Sequence, residues 1–158
     1  MGCKVHYGQE EEQIMINFQL LTLKECSLWT LFLHSNQYYI GRAYAWLKRE
    51  GEMQRLSQMT SEEIQELHVA ILPAYEDVLA SLWKPKHMNY AWLGNEFTQH
   101  QGHGHLHIIP RYDQPIQFVG AEFIDERWGK NYSPYPKQQY SDELVFTIRD
   151  ALRNALND

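Results

Sequence analysis

The chain lacks the features that define several large protein classes. Only two of its 158 residues are cysteine, Cys3 and Cys26. That is too few for a disulfide framework or a cysteine-based zinc site, so a reducing, cytoplasmic setting is the expectation. No apolar run approaches the ~20 residues needed to cross a bilayer. The opening Met1-Gly2-Cys3-Lys4-Val5-His6 has no apolar signal segment, and His6 stands where a myristoylation signal wants Ser or Thr. Basic residues are outnumbered, 14 Lys and Arg against 20 Asp and Glu, for a net charge of −6. The broad cationic footprint of a nucleic-acid or membrane-surface protein is missing, so neither partner is expected. No repeat and no low-complexity stretch is present.

What is present suits one globular domain. Apolar residues make up 44% of the chain and aromatics 13%, enough to build a core at this length. Residues 1–17 are polar, with Glu10-Glu11-Glu12, and are expected to be loosely ordered, although Ile14 and Ile16 suit an opening strand. Short strands are predicted over Phe18–Glu25, Leu28–His34 and Tyr39–Lys48, with a turn at Asn36-Gln37. Thr60-Ser61-Glu62-Glu63 is a capping box, and Ile64, Leu67, Ile71, Tyr75, Val78 and Leu82 then recur at helical spacing. Pro73 is expected to kink that helix and Pro85 to end it. Strand-like segments at 87–93 and 103–109 flank a polar loop from Gly94 to Gly102. An irregular aromatic stretch leads to a last helix capped by Ser141, with Leu144, Ile148, Leu152 and Leu156 inward.

Charge and histidine are concentrated in one place. Between Lys84 and Arg111 lie five of the eight histidines, and the only acid there is Glu96. His103, His105 and His107 alternate with Gly104, Leu106 and Ile108, so on a strand three imidazoles share one face. A single strand histidine is usually a packed side chain. Three in strict alternation are not core filling, because each ring carries two polar nitrogens that need partners. A zinc site built from all three is disfavoured by distance. The Cα atoms of His103 and His107 are ~13 Å apart along a strand, whereas their nitrogens would have to lie about 2 Å from one ion. No metal and no other cofactor is expected. The second reading makes the middle ring a nucleophile, since neutral imidazole is competent near pH 7. Phosphorus is a fitting target, its oxygens stabilised by the flanking rings.

His103-Gly104-His105-Leu106-His107-Ile108-Ile109-Pro110-Arg111 resembles the signature of the histidine triad family, His-x-His-x-His followed by two apolar residues. The likeness extends over residues 18–112, through Leu33-His34-Ser35-Asn36-Gln37-Tyr38-Tyr39-Ile40-Gly41-Arg42 and Asn89–Asn95. It implies an α+β fold, an antiparallel sheet of about five strands with one long helix and a C-terminal helix, often as a homodimer. On this resemblance residues 1–158 form a single domain, with 18–112 as its core and 113–158 as an extension. The family also implies a small-molecule nucleotide substrate cleaved at its α-phosphorus, a dinucleoside polyphosphate or nucleoside phosphoramidate. His105 would be the nucleophile, His107 would contact phosphate or leaving group, and His103 would support His105. Asn36 would hold ribose hydroxyls, and Asn95 or Gln99 would contact phosphate.

Three departures stand out. Arg42 takes the place where many members carry an upstream histidine. A guanidinium cannot shuttle protons but binds phosphate oxygens well, and its alternative is a surface salt bridge. Gly104 replaces an apolar side chain and is expected to loosen packing behind the triad. The loop before the triad is long, and His100 on it is expected to be solvated. His87 reads as a bystander, and Trp128 with Tyr132 as core or pocket wall. Two rivals remain, a nucleotide-binding regulator with little turnover and a histidine-ligated metalloenzyme.

Overall fold

The computed structural model describes residues 18–51, 53–137 and 140–158, and of Gln99 the backbone only. The expectations for residues 1–17 lie outside these. The described chain forms a five-stranded antiparallel sheet and a separate hairpin. Strands β1 (Thr22–Glu25), β2 (Trp29–Leu33) and β3 (Ala43–Glu50) precede a helical run, α1 (Ser61–Gln65) continuing through Glu66–Ile71 into α2 (Leu72–Leu82). Strands β4 (His87–Trp92) and β5 (His103–Arg111) follow, then the hairpin β6 (Ile116–Phe118) and β7 (Ala121–Phe123), and finally α3 (Asp142–Asn157). The sheet order is β1-β2-β3-β5-β4, which puts the histidine strand next to the centre.

One sheet face packs on the helices. Leu31, Leu33, Ala43, Ala45, Leu47, Leu106 and Ile108 are buried there with Leu67, Ile71, Tyr75 and Leu79. The capping box forms as expected: Thr60 Oγ1 accepts from Glu63 N at 3.2 Å, and Glu63 Oε2 accepts from Thr60 N at 2.8 Å. Pro73 does not simply kink the run. The residues before it widen into a π-helical stretch, Glu66–Ile71, where Leu72 N donates to Leu67 O, five residues back. This wider turn shifts the inward face, so Ile64 is exposed rather than buried. Glu63 is buried in its place and pairs with Arg49 at 2.6 Å.

Several boundaries differ from the sequence reading. Residues 18–20 form a helical turn, and β1 begins only at Thr22. Its Phe18 ring lies 4.0 Å from Phe32, covering the far face of the sheet. Strand β3 starts at Ala43 because residues 34–42 are consumed by a tight connection. The segment read as irregular holds the β6–β7 hairpin, turned by Val119 and Gly120, both at positive φ. Arg111 anchors this extension. It is buried against Asp125 at 2.6 Å and also donates to the carbonyls of Arg127 and Lys130. Ser141 caps α3, whose Arg149 and Arg153 donate to the carbonyls of Leu20 and Thr22 and tie it to β1. No described helix is long and apolar enough to cross a membrane.

Candidate active site

The face of the sheet turned away from the helices carries the histidines, and strand register decides their neighbours. His107 pairs with Tyr44 of β3, and His105 with Trp46. In an antiparallel pair directly opposed residues share a face, so each ring stands beside an aromatic. A register shift then places His103 opposite Glu50. The ring centroids of His105 and His107 are 5.1 Å apart, and His105 lies 5.9 Å from Trp46.

His103 is held from both sides. Its Nδ1 donates to Leu47 O at 2.7 Å, and its Nε2 is 3.6 Å from Glu50. His105 Nδ1 faces His103 O at 3.4 Å. A carbonyl only accepts, so this long contact favours the proton on Nδ1 and a lone pair on Nε2. The contact of His103 with its neighbour therefore runs through its backbone carbonyl. His105 is only 3% exposed and His107 8%. Burial, with His100 adding to it, pushes His105 down to about 4. Burial, His105 and Arg42 push His107 down to about 3. Both rings are neutral at pH 7.

Gly104 does not loosen this strand. A Cβ there would sit 2.5 Å from Trp92 Cη2 and 3.0 Å from Met53 Cβ. The space behind the triad is filled by the neighbouring strand's indole, and only glycine admits it.

The β2–β3 connection brings a second set of groups to the triad. Gln37 is fully buried and knits the turn. Its Nε2 donates to the carbonyls of His34 and Arg42, and its Oε1 accepts from Gly41 N. Gly41 has φ +84°, and a Cβ there would meet Leu79 Cδ2 at 2.5 Å. His34 comes within 6.2 Å of His107, ring to ring, and burial followed by Arg42 holds it well below the ordinary imidazole value. Arg42 is not a surface pair. It is 3% exposed, belongs to no ion pair found among the described residues, and its guanidinium lies 4.4 Å from the Tyr135 ring centre.

The expected polar loop is largely helical. Gly94–His100 forms a 3-10 helix, anchored by buried Phe97, and turns into β5 through Gln101 and Gly102 at positive φ. His100 is therefore only partly exposed. It packs edge-on against His105 at 4.3 Å and against Trp46 at 5.8 Å. Its four-residue spacing from Glu96, just ahead of the triad, is the one sequence signal that points to it.

Not all expected site residues converge. Asn36 Oδ1 accepts from Tyr38 N and its Nδ2 donates to Pro136 O, so its side chain is engaged by its own turn and by the C-terminal extension. Asn95 is exposed, and Gln99 lies on the same helix. His87 stacks on Trp128, which is exposed and so is not core. Tyr132 O accepts from Tyr39 at 2.7 Å. Sequence reasoning misses Gln37, which knits its own turn, and His34 and Tyr135, which meet the site only when distant segments fold together.

No protein-family model matches the sequence, and no curated protein matches it. Solved structures do. A hypothetical histidine triad nucleotide-binding protein from Sulfolobus tokodaii is 14% identical at TM-score 0.65, covering 94% of this chain and 91% of that one. A histidine triad protein from Bradyrhizobium japonicum is 16% identical at TM-score 0.64, covering 97% of both. A diadenosine triphosphate hydrolase from Plasmodium falciparum is 15% identical at TM-score 0.58, covering 88% and 78%. The chain has the histidine triad fold, and the resemblance seen in the sequence holds for its architecture.

Proposed function

We propose that this protein is a nucleotide hydrolase or nucleotidyl transferase acting at the α-phosphorus of a substituted nucleoside phosphate through a covalent nucleotidyl-His105. One observation carries the reading. Arg42 Nε and Nη1, His105 Nε2, and His107 Nδ1 and Nε2 are all buried without a hydrogen-bond partner. Buried polar atoms are normally satisfied, and this set suits a phosphoryl group: a forked cationic donor beside a free imidazole lone pair. The names of two neighbours, a nucleotide-binding protein and a diadenosine triphosphate hydrolase, support the same substrate class.

In this reading Nε2 of neutral His105 attacks phosphorus, and a P–N bond forms as the bond to the leaving group breaks. Nδ1–H remains on the carbonyl of His103. Arg42 and His107 bind the phosphoryl oxygens, where charge develops. The leaving group departs with the bonding electron pair and takes a proton from solvent. Water then adds its oxygen to phosphorus as the P–N bond breaks, its proton returns to solvent, and the nucleoside monophosphate leaves neutral His105 behind. Dinucleoside polyphosphates and nucleoside phosphoramidates are the leading substrates. Burial of His105 and His107 favours a second reading, a nucleotide-binding regulator with little turnover, because rings 3% and 8% exposed offer little access to a reacting phosphorus.

Rapid quench against a panel of adenosine and guanosine phosphoramidates and dinucleoside polyphosphates separates the two. The enzyme shows one added nucleoside monophosphate by intact mass, acid-labile, on the peptide containing His103–His107. A regulator shows mass gained only under native conditions. Rapid turnover without an adduct at any quench time refutes the covalent step.

A further inference from the structure

The helix before the triad brings ligands of another kind to His105. Glu96 and His100 stand four residues apart on it, and the buried Phe97 side chain fixes it against the sheet. Its far end is tied down by Gly51 N donating to Gly102 O at 2.9 Å. One donor atom from each of Glu96, His100 and His105 lies within 4.8 Å of the other two. In a tetrahedral zinc site, donors ~2.0–2.1 Å from the ion are ~3.3 Å apart, so small side-chain rotations close the set. The ring nitrogen that His105 has to spare is Nε2, which is buried and lacks a partner.

We propose that Glu96, His100 and His105 form a site for one divalent transition-metal ion of the zinc type, and that filling it switches the protein off. Two imidazoles and one carboxylate are a donor set zinc accepts, with a fourth position left for water. This set is distinct from the three alternating histidines, whose outer members lie too far apart to share an ion. It draws instead on a helix that folds back over the middle one. The ion and phosphorus compete for the same lone pair, so occupation and nucleophilic attack exclude each other. The inhibition rests on the role proposed for His105, whereas the site does not.

Tag-free, chelator-stripped protein is titrated with Zn²⁺ by calorimetry and with Co²⁺ by visible absorption. One ion per chain is expected, with the d–d bands of a four- or five-coordinate N/O site. Glu96→Gln and His100→Ala should each weaken binding at least tenfold. Glu96 is partly exposed and its replacement is isosteric, so that variant decides the matter even if His100→Ala fails to fold. No binding, or binding unchanged in Glu96→Gln, overturns the site. With a substrate that turns over, saturating Zn²⁺ should lower the wild-type rate at least tenfold, reversibly with EDTA, while Glu96→Gln at the same Zn²⁺ keeps its own metal-free rate. Zinc that raises wild-type turnover overturns the switch. If no substrate turns over, the proposed reaction fails, and calorimetry with Co²⁺ absorption still decides the site.

Discussion

The two faces of the five-stranded sheet both carry buried side chains, and they are buried to opposite ends. On the helix side, Leu31, Leu33, Ala45, Leu47, Leu106 and Ile108 meet aliphatic and aromatic partners, and the indole N–H of Trp29 donates to Glu63 O at 3.0 Å. Removing such surface from water stabilises by about 25 cal/mol per Å². On the other side, Phe18, Phe32, Tyr44 and Trp46 enclose a row of imidazoles in which His105 Nε2 and both nitrogens of His107 have no partner. Each unsatisfied buried polar group costs ~1–3 kcal/mol. The first face holds the fold together, and the second keeps polar atoms buried and unpaired at the fold's expense.

That contrast is most sharply broken at His105. Replacing it with Asn should lower kcat by at least ~10³, since the proposed nucleophile is lost, while Tm changes little because the lost ring had an unpaired nitrogen. Single-turnover kinetics beside calorimetric melting test this. More than a tenth of wild-type turnover, or a large fall in Tm, would make His105 a structural residue like those opposite. Arg42→Ala should lower kcat/KM by about 1.5–3 kcal/mol in transition-state binding. A melting curve that collapses while the kinetics stand would return Arg42 to a packing role.

The helix-side face should respond in the reverse sense. Gly104→Ala forces a methyl to within 2.5 Å of Trp92 and should destabilise by ~1–3 kcal/mol, or roughly 2–4 °C of Tm per kcal/mol. Unchanged Tm would mean that the indole yields freely. The effect of pH is confined to the histidine face. His105 is held at about 4 and His107 at about 3, below the ~6.5 of an unfolded chain. Between those values the unfolded state binds more protons, so stability falls as pH falls. Each ring contributes a loss on the order of 2 kcal/mol between pH 7 and 5. Denaturation of wild type and His105→Asn across that range should show a weaker pH dependence in the variant, and equal slopes would refute the depressed value.

Part of this contrast is legible in the residues alone. The alternation of His103, His105 and His107 requires only that the segment be a strand, and a strand's period follows from backbone geometry. The caps at Thr60 and Ser141 are equally local, because a hydroxyl reaches an amide three residues on. The triad's shared face follows from the same short-range rules. Where the fold departs from expectation, a distant segment supplies the neighbour. Trp92 makes Gly104 a tight contact, Phe97 and the turn at Gln101-Gly102 fold His100 onto His105, and Tyr135 closes over Arg42 from far along the chain. Pro73 announces a disturbance, but whether the helix bends or widens depends on packing against the sheet. The sequence by itself determined which residues share a strand face and where helices begin, because short-range sterics and hydrogen bonds decide those. Only the tertiary structure decided which polar atoms are buried without partners, because burial and pairing depend on groups that the chain brings together from afar.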